Sequence, residues 1–174
     1  MPWRAFLTVL LVAFVLQTAA ARQFGIESLD LLLAYALFCA LALPTGDARI
    51  AAFLVGFAQD LGSGGYGGTS APIGASAFCF GLTGIAVTWL REWLNTQIWW
   101  VRLLVAFLAA VPGQLVLAFY THWWLSAWRM SAGQTFLHVV TVSMLAALLA
   151  VGLTTLPLFL NWDRRRRGRA RPRW

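Results

Sequence analysis

The sequence predicts an all-α integral membrane protein of about six transmembrane helices, and three observations carry that expectation. Apolar residues make up 60% of the 174 and charged residues only 11%, a balance well outside that of soluble domains. The apolar residues arrive in separated blocks close to the ~20 residues a helix needs to cross a bilayer. Alternation of period two is absent, which argues against a membrane β-barrel. In lipid each segment must satisfy its own backbone hydrogen bonds, so each block is read as a helix.

The first block runs from Ala5 to about Ala21, between Arg4 and Arg22. It has two readings. Arg4, the apolar core and the small residues Thr18-Ala19-Ala20-Ala21 resemble a secretory signal with its cleavage site. A retained first helix is favoured, because a chain with several strong spans needs no removable signal. The second block begins near Leu29 and ends at Pro44, where proline removes the next helical donor. A short third block covers about Ala48 to Leu61, the fourth Ala71 to Leu90, the fifth Ile98 to Tyr120 and the sixth Phe136 to about Leu160. Residues 1–162 thus form one transmembrane helical domain, followed by a basic tail over 163–174.

Arginine sets the expected orientation. All 13 basic residues are Arg. With the N-terminus in the cytoplasm, Arg4, Arg49, Arg91 and the seven tail arginines lie inside, Arg22 and Arg129 outside, and Arg102 near a boundary. That asymmetry satisfies the positive-inside rule. Tryptophan agrees: Trp3, Trp89, Trp93, Trp99, Trp100 and Trp162 fall at inner ends of blocks, and Trp123, Trp124 and Trp128 at the outer side, as interfacial belts require. Both termini are expected in the cytoplasm.

The tail, Asp163 to Trp174, contains Arg164, Arg165, Arg166, Arg167, Arg169, Arg171 and Arg173 and dominates the net charge of +7. Clustered arginine neutralises nucleic-acid phosphates. Here the run directly follows a span and lacks interleaved stacking aromatics, so a topology anchor meeting anionic lipid, and no nucleic acid, is the reading.

Between the third and fourth blocks, Gly62, Gly64 and Gly67 match the G-x-G-x-x-G spacing of a dinucleotide loop. That fingerprint needs a preceding strand and an acidic residue about 20 positions on. The block before it is a membrane helix, and the next acid is Glu92. The glycines are therefore expected to let the chain reverse between two spans. Beyond them, Gly74, Ala77, Gly81, Gly84 and Thr88 recur every three or four residues, with Ala48, Ala52 and Gly56 as a matching set on the third helix. Small residues so spaced let membrane helices approach closely, and some are candidates for a partner interface.

Polar groups inside spans are candidates for function. Asp30, with Ser28, is expected to cap the second helix. Asp60 sits beside Gln59 at the C-terminal end of the third helix, where a carboxylate opposes the helix dipole. It therefore needs a donor: a loop backbone N–H, or an Arg or Trp from elsewhere. His122 and His138 lack companion ligands, and Cys39 and Cys79 read as small apolar residues, so no metal or other cofactor is expected. Pro112-Gly113-Gln114 marks a kink, or a helix broken around a binding site. No nucleophile elbow, phosphate loop or paired-carboxylate pattern appears, so no catalytic residue is expected.

The stretch Gly25 to Gly84 resembles the rod shape-determining MreD family. The matching positions are Asp30-Leu31-Leu32-Leu33, Gly56-Phe57, Asp60-Leu61, and Gly67 or Gly68 before the small-residue helix. The resemblance implies a non-enzymatic subunit of the bacterial cell-elongation assembly in the inner membrane. It implies MreC as the direct partner, with MreB, RodZ, RodA and a class B penicillin-binding transpeptidase in the same assembly. It also implies a fold similar to the six-helix S components of ECF-type vitamin transporters, and such a substrate-binding component is the alternative function. S components usually carry Ala-x-x-x-Ala on the first helix, a pair absent between Ala5 and Ala21. A lipid-acting enzyme built on Glu27, Asp30 and Asp60 would lack a companion base.

Overall fold

A computed structural model describes residues 3–24, 30–63, 74–94, 98–125 and 132–155, and these form six α-helices with no strand among them. They are α1 (Trp3–Phe24), α2 (Leu31–Ala42), α3 (Thr45–Ser63), α4 (Ala75–Trp93), α5 (Trp99–Leu125) and α6 (Ala132–Thr155). The protein is all-α. Two of the helices, over Trp99–Tyr120 and Ala132–Thr155, are long and apolar enough to cross a membrane. Less than half of each apolar stretch is buried by the rest of the protein.

Consecutive helices run antiparallel, and side-chain contacts fix their register. Arg49 on α3 meets Thr88 on α4, while Asp60 near the other end of α3 meets the start of α4. Arg102 near the start of α5 reaches Thr154 near the end of α6. The arginines at Arg4, Arg49, Arg91 and Arg102 consequently gather at one end of the bundle, where α1, α3 and α5 begin and α2, α4 and α6 end.

α2 is the hub. It touches all five other helices, and every residue from Leu32 to Ala40 is buried. Its sequence, LLLAYALFCALA, contains no β-branched residue and is apolar on all sides, as a helix surrounded by protein requires. At 12 residues it is only ~18 Å long, short of the ~30 Å hydrocarbon layer. Its end follows from Pro44, whose ring drives the preceding Leu43 into an extended conformation at φ −90° and ψ 161°. Pro44 in turn supplies the carbonyl that receives Ala48 N–H at 2.7 Å, so α3 starts almost at once. The expected start near Ala48 was therefore late by about one turn.

α1 is integrated into this core on one side. Phe6 is fully buried, its ring stacking on Tyr35 at 5.6 Å, and Tyr35 donates its hydroxyl proton to the Phe6 carbonyl at 3.1 Å. Leu7, Leu11, Val15 and Leu16 on the opposite face are exposed. α5 continues as one helix through Pro112, without the break that a discontinuous helix would show.

Candidate functional site

The residues singled out by sequence converge on the α2–α3–α4 core. Along α3 and α4 the close approach is concentrated at two glycines. A Cβ on Gly56 would collide with the Ser76 carbonyl and the Ala77 Cα of α4, and one on Gly84 would lie 2.6 Å from the Ala52 Cβ of α3. Gly81 differs: a Cβ there would meet only the Phe53 ring, at an ordinary 3.6 Å. Ala77 is buried against α3 close to Gly56. Gly74 lies outside the stripe. It precedes α4 with φ +113°, a left-handed conformation that glycine adopts without strain, and nothing lies within 4 Å of its side-chain position.

Gly62 is likewise not part of a turn, because α3 extends to Ser63 and Gly62 lies within it, against the Phe14 ring of α1. The remaining loop glycines, Gly64 to Gly68, lie outside the described residues. So do Ser28 and the tail arginines Arg164 to Arg173, whereas His122 lies within α5.

Asp60 finds its donors across the loop, in the backbone of α4. The carboxylate is 5% exposed. Its Oδ2 accepts from Gly74 N at 2.9 Å and Ala77 N at 3.0 Å, and its Oδ1 accepts from Ser76 N at 3.0 Å. Gly74 has no side chain with which to cap α4, and Asp60 supplies the missing oxygens from the neighbouring helix. A carboxylate that is unfavourable at its own helix C-terminus is favourable at the N-terminus of the antiparallel neighbour, where free N–H groups and the helix dipole both attract it.

α2 is capped by the same logic at both ends. Asp30 Oδ1 accepts from Leu33 N at 2.9 Å. Gln17 of α1 accepts from Leu32 N at 2.8 Å and donates to Gln59 Oε1 of α3 at 3.1 Å, joining three helices through one amide. At the C-terminus, Nη1 of Arg91 on α4 shares its two N–H donors among the carbonyls of Ala40, Leu41 and Leu43, at 3.1, 3.1 and 2.8 Å. A cation on the last carbonyls of a helix is the favourable complement of its dipole.

Sequence reasoning missed Gln17, and read Arg91 only as a topology signal. A lone amide inside an apolar block was the available sign of Gln17. Nothing local marks Arg91 as a cap, because its acceptors lie about 50 residues away in sequence. Gly113 was also read differently, as part of a kink or a break in α5. Its missing Cβ leaves room for Thr83 Oγ1, whose hydroxyl donates to the Cys79 carbonyl at 2.9 Å. Glycine thus serves close approach on two faces of α4, toward α3 and toward α5.

Among the described residues, no three His, Cys, Asp or Glu side chains are arranged to hold a metal ion. Cys39 and Cys79 are buried, free thiols. Ser143 on α6 is fully buried, and its hydroxyl has no hydrogen-bond partner among the described residues. At the arginine-bearing end, Trp89, Trp93, Trp99 and Trp100 are all more than half exposed, with the Trp89 and Trp93 rings 5.7 Å apart. This arrangement terminates helices and sets their spacing. Compared with protein families, with curated proteins and with solved structures, the chain finds no match.

Proposed function

We propose that this chain is an architectural subunit of the bacterial inner membrane, related to MreD, that binds MreC and helps organise peptidoglycan synthesis during cell elongation. It is a six-span bundle of S-component type with both termini in the cytoplasm. The observation that supports this most is how the resemblance-bearing residues are used. Asp30 caps the start of α2, Asp60 caps the start of α4, and Gly56 seats α3 on α4, so all three serve the packing of the bundle. The spanning arrangement is supported by the large apolar residues exposed along α1, α3, α4, α5 and α6, a surface that water would penalise and lipid accepts. The orientation is supported by Arg4, Arg49, Arg91 and Arg102 sharing one end with the start of the chain.

In this role the bundle holds MreC beside RodA and its class B penicillin-binding transpeptidase, with MreB and RodZ on the cytoplasmic side and the basic tail against anionic lipid. No residue performs catalysis. The test is co-purification of the tagged full-length protein from mildly solubilised native membranes, read by mass spectrometry. MreC with RodA and the transpeptidase is the expected set. Recovery of an ATPase pair with a membrane coupling subunit would overturn the proposal in favour of a transporter S component.

A further inference from the structure

We propose that Arg49 forms a phosphate-binding site for an anionic phospholipid of the leaflet at the arginine-rich end of the bundle, separate from the C-terminal tail. The inference rests on the membrane reading above and adds a named lipid site within the folded body. Arg49 is exposed on α3, and its Nε donates to Thr88 Oγ1 on α4 at 3.2 Å. Thr88 is fully buried and its own hydroxyl proton is committed to the Ile85 carbonyl at 2.9 Å, so its oxygen can only accept from Arg49.

That single bond orients the guanidinium and leaves both terminal amino groups as donors. Its bond to Thr88 is the one polar contact of Arg49 among the described residues. Glu92, one helical turn beyond Thr88, forms no ion pair with it, nor does Asp47 on its own helix. A pre-oriented planar fork suits a phosphate better than a freely rotating side chain does, because less freedom is lost on binding.

The surroundings select a lipid over a soluble phosphate. Ile50 and Phe53 on α3, and Ile85 and Trp89 on α4, are each about half exposed around the same end of the helix pair. They offer apolar surface to an acyl chain on the membrane side of the guanidinium, while the indole of Trp89 suits the headgroup boundary. Arg4, Arg91 and Arg102 at the same end add a positive field that favours a net negative headgroup over a zwitterionic one.

The test uses the full-length protein with all seven tail arginines changed to Gln, so that the tail cannot mask the site. Native mass spectrometry from detergent micelles would follow retention of phosphatidylglycerol, of phosphatidylcholine, and of soluble glycerol phosphate as competitor. Phosphatidylglycerol should be retained over phosphatidylcholine, Arg49→Gln should reduce that retention about fivefold, and Thr88→Val, which keeps the charge but releases the fork, about twofold. Glycerol phosphate should not compete at matched concentration. Unchanged phosphatidylglycerol retention in Arg49→Gln would overturn the site, and should that variant fail to fold, unchanged retention in Thr88→Val would do so. Competition by glycerol phosphate would overturn the lipid assignment. Release of the protein from native membranes by alkaline carbonate would instead defeat the membrane reading itself, a separate outcome from unaltered lipid retention.

Discussion

α2 and the α5–α6 pair solve the problem of a helix end in opposite ways. α5 and α6 have 27 and 24 residues, so each is long enough to carry its ends past a ~30 Å hydrocarbon layer. α2 has 12 residues and sits among the other five helices. Its terminal N–H and C=O groups are brought to protein partners, Asp30 and Gln17 at one end and Arg91 at the other. The difference teaches that in an apolar medium a polar side chain follows the nearest unsatisfied backbone group, so the shortest helix attracts the most specific contacts.

The comparison breaks most visibly where no relaxation is available. Gly56→Leu drives a side chain into the Ser76 and Ala77 backbone, and should cost about 3 kcal/mol or more, read as a lowered thermal midpoint in detergent and lower membrane levels. Gly81→Leu, facing only the movable Phe53 ring, should cost far less. Equal losses at the two glycines would show that the small-residue stripe acts uniformly rather than at its contact points.

Next in size is Arg91→Leu. It leaves the Ala40, Leu41 and Leu43 carbonyls without this donor in buried surroundings, for a loss of about 2–4 kcal/mol. The matched change on the long-helix pair is Arg102→Gln, whose contacts include one of 3.5 Å to Thr154, and it should cost less than Arg91→Leu. Comparable thermal shifts for the two arginines would remove the distinction between a short capped helix and long ones. The smallest expected loss within the core is Gln17→Leu, about 1–2 kcal/mol, since Asp30 still caps α2 at Leu33. Hydrogen exchange at Leu32 should rise with it while that at Leu33 stays slow.

What could be read from the chain followed the range of each interaction. The helices were legible because an apolar block is a local property, and Asp30 was legible as a cap because its acceptor role spans three residues. Asp60 was half legible. Its misfit with its own helix dipole signalled a donor elsewhere, but the donors at Gly74, Ser76 and Ala77 are set by how α4 docks on α3. Arg91 and Gln17 were not legible as caps, because each serves a helix other than its own. Gly62 and Gly74 exchanged roles for a related reason. Whether a glycine turns the chain or admits a neighbour depends on where the helix stops, and one extra half-turn of α3 decided it.

The Asp60 carboxylate has one more consequence, for the continuity of the chain itself. Three hydrogen bonds join the last turn of α3 to the first turn of α4, and Gly56 and Gly84 seat the two helices along their length. Groups on either side of the connecting segment thus hold the two helices together. A polypeptide divided between residues 64 and 73 keeps the groups that make these contacts, so two co-expressed halves are expected to find each other through Asp60, Gly56 and Gly84.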